Sequence, residues 1–137
     1  MAAAMTDIAA AQPDLPQQDA SQATSGTFED LGVPADLAKG LAEMGYAAPT
    51  PVQRQAYAPA VAGKDLVVQS KTGSGKTTAF CLPTAVRMTA GKDRPQALVL
   101  CPTRELASQV AAEATRLMRP KGLEVVAVYG GASFVPQ

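Results

Sequence analysis

Three short apolar runs, spaced by helical patterns, constrain this chain more than any other feature. Leu66-Val67-Val68, Ala97–Cys101 and Leu123–Tyr129 have the length and aliphatic content of buried strands. Between the last two, Leu106, Val110, Ala114 and Leu117 recur at helical spacing across residues 104–118, closed by Pro120 and Gly122. A further helical stretch starts at about Lys76, with a kink expected at Pro83. Strands that are apolar on both faces and alternate with helices imply a parallel sheet with helices packed over it, an α/β fold. The 137 residues suit one domain. The sequence stops at Phe134-Val135-Pro136-Gln137 while that sheet is still being built, so an incomplete domain with an open, aggregation-prone edge is expected.

Upstream, residues 1–27 are mostly Ala, Gln, Pro, Asp, Ser and Thr, too poor in large apolar side chains to offset their ordering entropy. They read as a disordered tail, and order is expected from Phe28. Leu37, Leu41 and Met44 mark an amphipathic helix over Pro34–Met44, stopped by Gly45. Thr50-Pro51-Val52-Gln53 reads as a capping box with proline in the first turn. It opens a second helix running to about Val61, bent near Pro59 and ended near Gly63.

Composition removes several chemistries. Without histidine there is no Ser-His or Cys-His nucleophile pair and no imidazole base or zinc ligand. Cys81 and Cys101 stand apart from any C-x-x-C pair and read as buried, reduced thiols. No apolar run reaches membrane-spanning length, and the first basic residue is Lys39, so neither a membrane span nor a targeting leader is expected. A cytoplasmic location follows as an expectation. Beyond residues 1–27, which hold Asp7, Asp14 and Asp19 and no base, 12 basic groups face nine acidic ones. That mild excess is compatible with a phosphate-bearing partner.

Gly73-Ser74-Gly75-Lys76-Thr77 falls between the first apolar run and the next helix, the context of a Walker A phosphate loop. Glycines let successive backbone N–H groups converge on one anion, and a helix N-terminus reinforces them. Lys76 is placed to meet β- and γ-phosphates as a point charge, and the Thr77 hydroxyl to ligate Mg²⁺. The common pattern opens on glycine, where this chain has Ser70. By itself the loop reads as an NTPase or a small-molecule phosphotransferase, and at its blandest as a glycine-rich turn with a solvated lysine.

Phe28, Gly45-Tyr46, Pro49–Gln53, Thr72–Thr77, Pro102-Thr103-Arg104-Glu105-Leu106-Ala107 and Gly130-Gly131 follow one another in an order that resembles the start of a DEAD-box RNA helicase. The resemblance covers residues 28–137, with Phe28 seventeen positions before Gly45 as the Q-motif pattern has it. It implies an incomplete N-terminal RecA-like ATP-binding domain that uses ATP and Mg²⁺ and binds the RNA backbone. Phe28, Tyr46, Gln53 and the run Ser70, Lys71, Thr72, Gly73, Ser74, Gly75, Lys76, Thr77 and Thr78 would form the nucleotide site. Lys76 and Thr77 would be its catalytic members. Gln53 would read the adenine edge, since one amide offers both an acceptor and a donor, and Phe28 would stack on the base. On residues alone, Gln53 reads first as the capping-box residue, and one amide can serve helix and base together. Pro102, Thr103, Arg104, Gly130 and Gly131 would meet RNA phosphates and bare backbone; read locally, Thr103 caps a helix and the glycines form a turn.

The Asp-Glu-Ala-Asp sequence that the resemblance calls for to organise Mg²⁺ and the attacking water does not occur. The expectation is therefore a helicase fragment, able at most to bind nucleotide or RNA without turnover.

Overall fold

The computed structural model describes residues 26–131; the expected tail up to residue 25 and the Phe134–Gln137 ending lie outside them. Within these limits the chain forms α1 (Ala35–Glu43), α2 (Pro51–Val61), α3 (Lys76–Arg87) and α4 (Arg104–Met118), with 3-10 turns at Glu29–Leu31 and Arg119–Lys121. All four helices start, and α1, α2 and α4 also stop, within a residue or so of their expected bounds, because these ends are marked by local chemistry.

Leu37 and Leu41, one turn apart on α1, are both fully buried. The helix ends in a Schellman arrangement: Gly45 takes φ +87° and its N–H donates to Ala42 O. The Tyr46 N–H then donates to Leu41 O at 2.9 Å. This glycine turns the chain so that the Tyr46 side chain meets α3 and α4. In α4, the Thr103 hydroxyl caps the start by accepting from Leu106 N–H at 3.2 Å. Lys121 reaches back from the turn after α4 and donates to Ala85 O and Val86 O, satisfying orphan carbonyls at the end of α3.

α2 packs along α3, α3 along α4, and α1 against α4 and the 119–121 turn. Their shared core includes Leu37, Leu41, Tyr57, Leu82, Leu117 and Met118, and it takes in Phe28 and Leu123 from outside the helices. Gly26 and Thr27, within the expected tail, are also held: Arg54 Nη2 donates to Gly26 O at 2.7 Å, and Thr27 and Asp30 exchange hydrogen bonds. Cys81 is buried, Cys101 half-buried, and both are free. Burial pushes the Cys81 thiol up to about 12, with Glu113 and Cys101 adding to the rise.

The expected parallel sheet is the point of difference. Among the described residues no strand is formed. The three apolar runs keep the two-residue alternation of a strand: Val67 is fully exposed between two less exposed neighbours, as Leu98 and Leu100 flank Val99. They make no ladder hydrogen bonds with one another. A ladder needs backbone N–H and C=O groups paired across about 5 Å, and no such pairing joins these runs. Here a cleft of about 600 Å³ is lined by Leu66 and Val68 as well as by Val99 and Cys101. Leu66, Val68, Val99 and Cys101 border that cleft, and Val67, Leu98, Leu100, Val126 and Val128 are the more exposed positions.

Leu41→Ala removes a fully buried side chain and is expected to lower stability by about 2–5 kcal/mol. Val67→Ser, at a fully exposed position, is expected to stay within about 0.5 kcal/mol of the parent. Urea denaturation followed by circular dichroism checks both.

Candidate functional site

Gly75 precedes α3 in the left-handed region, at φ +87° and ψ 26°. Its carbonyl accepts the first helical bond from Ala79 N–H at 3.0 Å and also takes a donor from Gln53 Nε2 at 3.3 Å. A Cβ placed on Gly75 would lie 2.5 Å from Gln53 Nε2, so close approach and backbone conformation both demand glycine. The other end of the Gln53 amide, Oε1, accepts from Thr50 N–H at 2.9 Å. Gln53 is 1% exposed, and its one planar group ties the start of α2 to the end of the loop. The Thr50 hydroxyl faces the Gln53 N–H in capping-box fashion but too loosely for a hydrogen bond, and it stays buried without a partner.

Inside the loop, Lys76 Nζ donates to Ser70 O and to Lys71 O, each at 2.6 Å. The ammonium thus curls over the loop's own carbonyls. Ser74 Oγ is buried with no partner, and the half-buried Thr77 hydroxyl has none among the described residues. The first-turn N–H groups of α3 lack intrahelical acceptors, as at any helix start. An orphaned hydroxyl, free N–H groups and a cation around one glycine-rich turn fit a phosphate chain, whose oxygens would satisfy all three. The Thr77 hydroxyl suits Mg²⁺, a hard cation that keeps most of its shell as water and phosphate oxygen.

Three residues expected at the nucleotide, Phe28, Tyr46 and Thr78, have protein partners instead. The Phe28 ring is 4% exposed and packs within the core. Tyr46 Oη donates to Glu113 Oε1 at 3.1 Å, and burial raises the phenol above its ordinary range. Thr78, fully buried, sets its hydroxyl 3.0 Å from Tyr46 Oη and 2.7 Å from Glu113 Oε1. Sequence reasoning missed Glu113, although a signal was present. It stands three residues after Val110 and four before Leu117, a carboxylate on the apolar stripe of α4.

At the start of α4, residues expected to meet nucleic acid do come together. The Arg104 guanidinium lies over the Tyr129 ring, 5.0 Å from its centroid, a cation–π contact. Arg104 Nη1 also lies 3.5 Å from the position a Cβ on Gly131 would take. Tyr129, not singled out in the sequence, holds the guanidinium beside the bare backbone of Gly130-Gly131. Pro102, Thr103 and Arg104 are all exposed there.

The DEAD/DEAH box helicase family model matches residues 50–137. The chain is 43% identical over 116 residues to the ATP-dependent RNA helicase dbp2 of Schizosaccharomyces pombe, covering 81% of this chain and 21% of that protein. It is also 43% identical over 110 residues to the DEAD-box ATP-dependent RNA helicase CshA of Streptococcus pneumoniae, covering 80% of this chain and 21% of that one. The chain thus spans about a fifth of the length of these relatives. Among solved structures it resembles the RNA-helicase Prp28 from Chaetomium thermophilum bound to ADP, with TM-score 0.74 and 40% identity over 82% of this chain and 29% of that one. A second neighbour is S. cerevisiae Dbp5 bound to RNA and ADP BeF3, with TM-score 0.66 and 31% identity over 72% and 26% of the respective chains.

The loop geometry separates two superficially similar substitutions. Gly73→Ala meets open space at φ +77° and is expected to cost only the left-handed backbone strain of about 1–2 kcal/mol. Gly75→Ala carries the same strain and also displaces Gln53, losing a further hydrogen bond of about 1 kcal/mol. Urea melts of the two variants should therefore differ, with Gly75→Ala the less stable.

Proposed function

The chain belongs to the DEAD/DEAH box helicase family, and from that premise we propose that it is the nucleotide-loop portion of an ATP-dependent RNA helicase. The observation that carries the reading is the loop itself. Gln53 braces Gly75, Lys76 Nζ lies on the loop carbonyls of Ser70 and Lys71, and Ser74 Oγ is buried without a partner just before the start of α3. ATP phosphates are the ligand that best matches such a loop, and Mg²⁺, held by the Thr77 hydroxyl, would supply charge neutralisation there.

To meet those phosphates Lys76 must leave Ser70 O and Lys71 O, exchanging two neutral acceptors for charged oxygens. That exchange is favourable, because hydrogen bonds to an ionised acceptor are roughly twice as strong as neutral ones. Gln53, with one Nε2 hydrogen still unassigned, braces the loop and offers its edge to adenine. Arg104, backed by Tyr129, and the N–H groups at the capped start of α4 take RNA phosphates, while Gly130-Gly131 lets the strand approach.

In this reading the runs around Leu66–Val68, Ala97–Cys101 and Leu123–Tyr129 are strands of a RecA-like parallel sheet. Their alternating exposure and the likeness to the helicase domains support it. The 137 residues contain no Asp-Glu-Ala-Asp, so this stretch by itself binds nucleotide without turning it over.

Fluorescent ATP and GTP analogues test the nucleotide assignment on the 137-residue chain. Lys76→Ala is expected to weaken ATP binding at least about tenfold, since it removes a charge-assisted contact of about 1.5–3 kcal/mol. Gln53→Ala should weaken both nucleotides and abolish a preference for adenine. Weakening with the preference intact would leave Gln53 as a loop brace only. Lys76→Ala binding at parental affinity would remove the loop from the site.

For the nucleic-acid face, Arg104→Ala should reduce affinity for single-stranded RNA and make the salt dependence shallower by about one ion. Tyr129→Leu should give a smaller loss, the cation–π contact being worth about 0.5–1 kcal/mol at an exposed site. Fluorescence anisotropy across a salt series reads both, and an unchanged salt slope for Arg104→Ala would show that it meets no phosphate.

A further inference from the structure

Threonines within helices can turn the hydroxyl back onto a carbonyl four residues earlier. The half-buried Thr84 and the exposed Thr115 do so here, donating to Phe80 O and Ala111 O at 2.7 Å each. Thr78 does not. Its hydroxyl crosses to another helix, 2.7 Å from Glu113 Oε1 and 3.0 Å from Tyr46 Oη, and the side chain is fully buried. The Tyr46 hydroxyl makes its own bond to Glu113 at 3.1 Å. A carboxylate has acceptor capacity for both hydroxyl protons at once. Three segments, the turn after α1, the first turn of α3 and the middle of α4, are thereby pinned at one point beside the nucleotide loop.

Thr78 directly follows Thr77, whose hydroxyl carries no protein partner among the described residues. Fixing the rotation of α3 at Thr78 fixes the direction in which Thr77 Oγ1 is offered, as outer partners orient first-layer ligands in metal sites. We infer that Glu113 is a positioning residue for the nucleotide loop: with Tyr46 it clamps Thr78, and through Thr78 it sets the Thr77 hydroxyl for the magnesium ion that accompanies ATP. This inference rests on the nucleotide-binding reading above. It also gives α4, which opens on Thr103 and Arg104, a hydrogen-bonded connection to the nucleotide element.

The test titrates the 137-residue chain with a fluorescent ADP analogue, once with Mg²⁺ and once with EDTA, and reads the ratio of the two affinities. Thr78→Val removes the hydroxyl at nearly constant volume and is expected to lower the Mg²⁺-dependent part of the affinity about tenfold, leaving the EDTA value in place. Thr78→Ser, which restores the hydroxyl, should restore the ratio. Glu113→Gln keeps an acceptor oxygen and should bind like the parent, whereas Glu113→Ala should behave like Thr78→Val. Should Glu113→Ala fail to fold by circular dichroism, the Thr78→Val and Thr78→Ser pair decides alone. Equal loss with and without Mg²⁺ would mean general loosening and overturn the inference. A normal ratio in Thr78→Val, with the parent showing Mg²⁺-dependent binding, would overturn the inference while sparing the nucleotide assignment. Absence of Mg²⁺-dependent binding in the parent would overturn both.

Discussion

The Gln53 amide is the interaction on which the nucleotide loop depends. It is 1% exposed and spans two elements, accepting from Thr50 N–H and donating to Gly75 O. A buried amide with unmet hydrogen bonds is costly, so the groups at both its ends are held in register with each other. Gly75 can sit against it only because there is no Cβ, and only glycine takes the left-handed conformation there without strain. Loop shape and the starts of two helices therefore share one planar group.

The clamp at Tyr46, Thr78 and Glu113 serves the same region from the opposite side. Gln53 restrains the residue before α3, and Glu113 restrains its first turn. Between these anchors lie Lys76 and Thr77, the two side chains expected to meet phosphate and metal. Preorganisation of this kind lowers what binding must spend on ordering the loop. Lys76 is the exception, since its ammonium rests on loop carbonyls and can be released to a ligand.

The helices were legible in the sequence because their boundaries are written in local chemistry. Pro34, Gly45, Thr50-Pro51, Thr103 and Gly122 act within a few residues of themselves, and the structure places ends at each of them. The apolar runs were also legible as a period, yet their pairing was not. A strand's partners lie wherever the chain brings them, and here Val68 and Val99 border one cleft with no ladder hydrogen bond between their runs.

Sequence alone determined the four helices, the glycine-rich turn before α3, the lysine and threonine that follow it, and the family's order of motifs. Those are properties of contiguous residues, where backbone propensity and side-chain caps act over one or two turns. Tertiary structure decided the use of each side chain. It buried the Phe28 ring in the core, gave the Gln53 amide to Gly75, laid Arg104 over Tyr129, and joined Tyr46 to Glu113 across 67 positions. Each of these is a contact between groups distant in sequence, whose hydrogen-bond and ring partners exist only once the helices have packed. A pattern of residue types can name the candidates for such contacts, but the choice among them is made by which polar atoms the packing leaves without water.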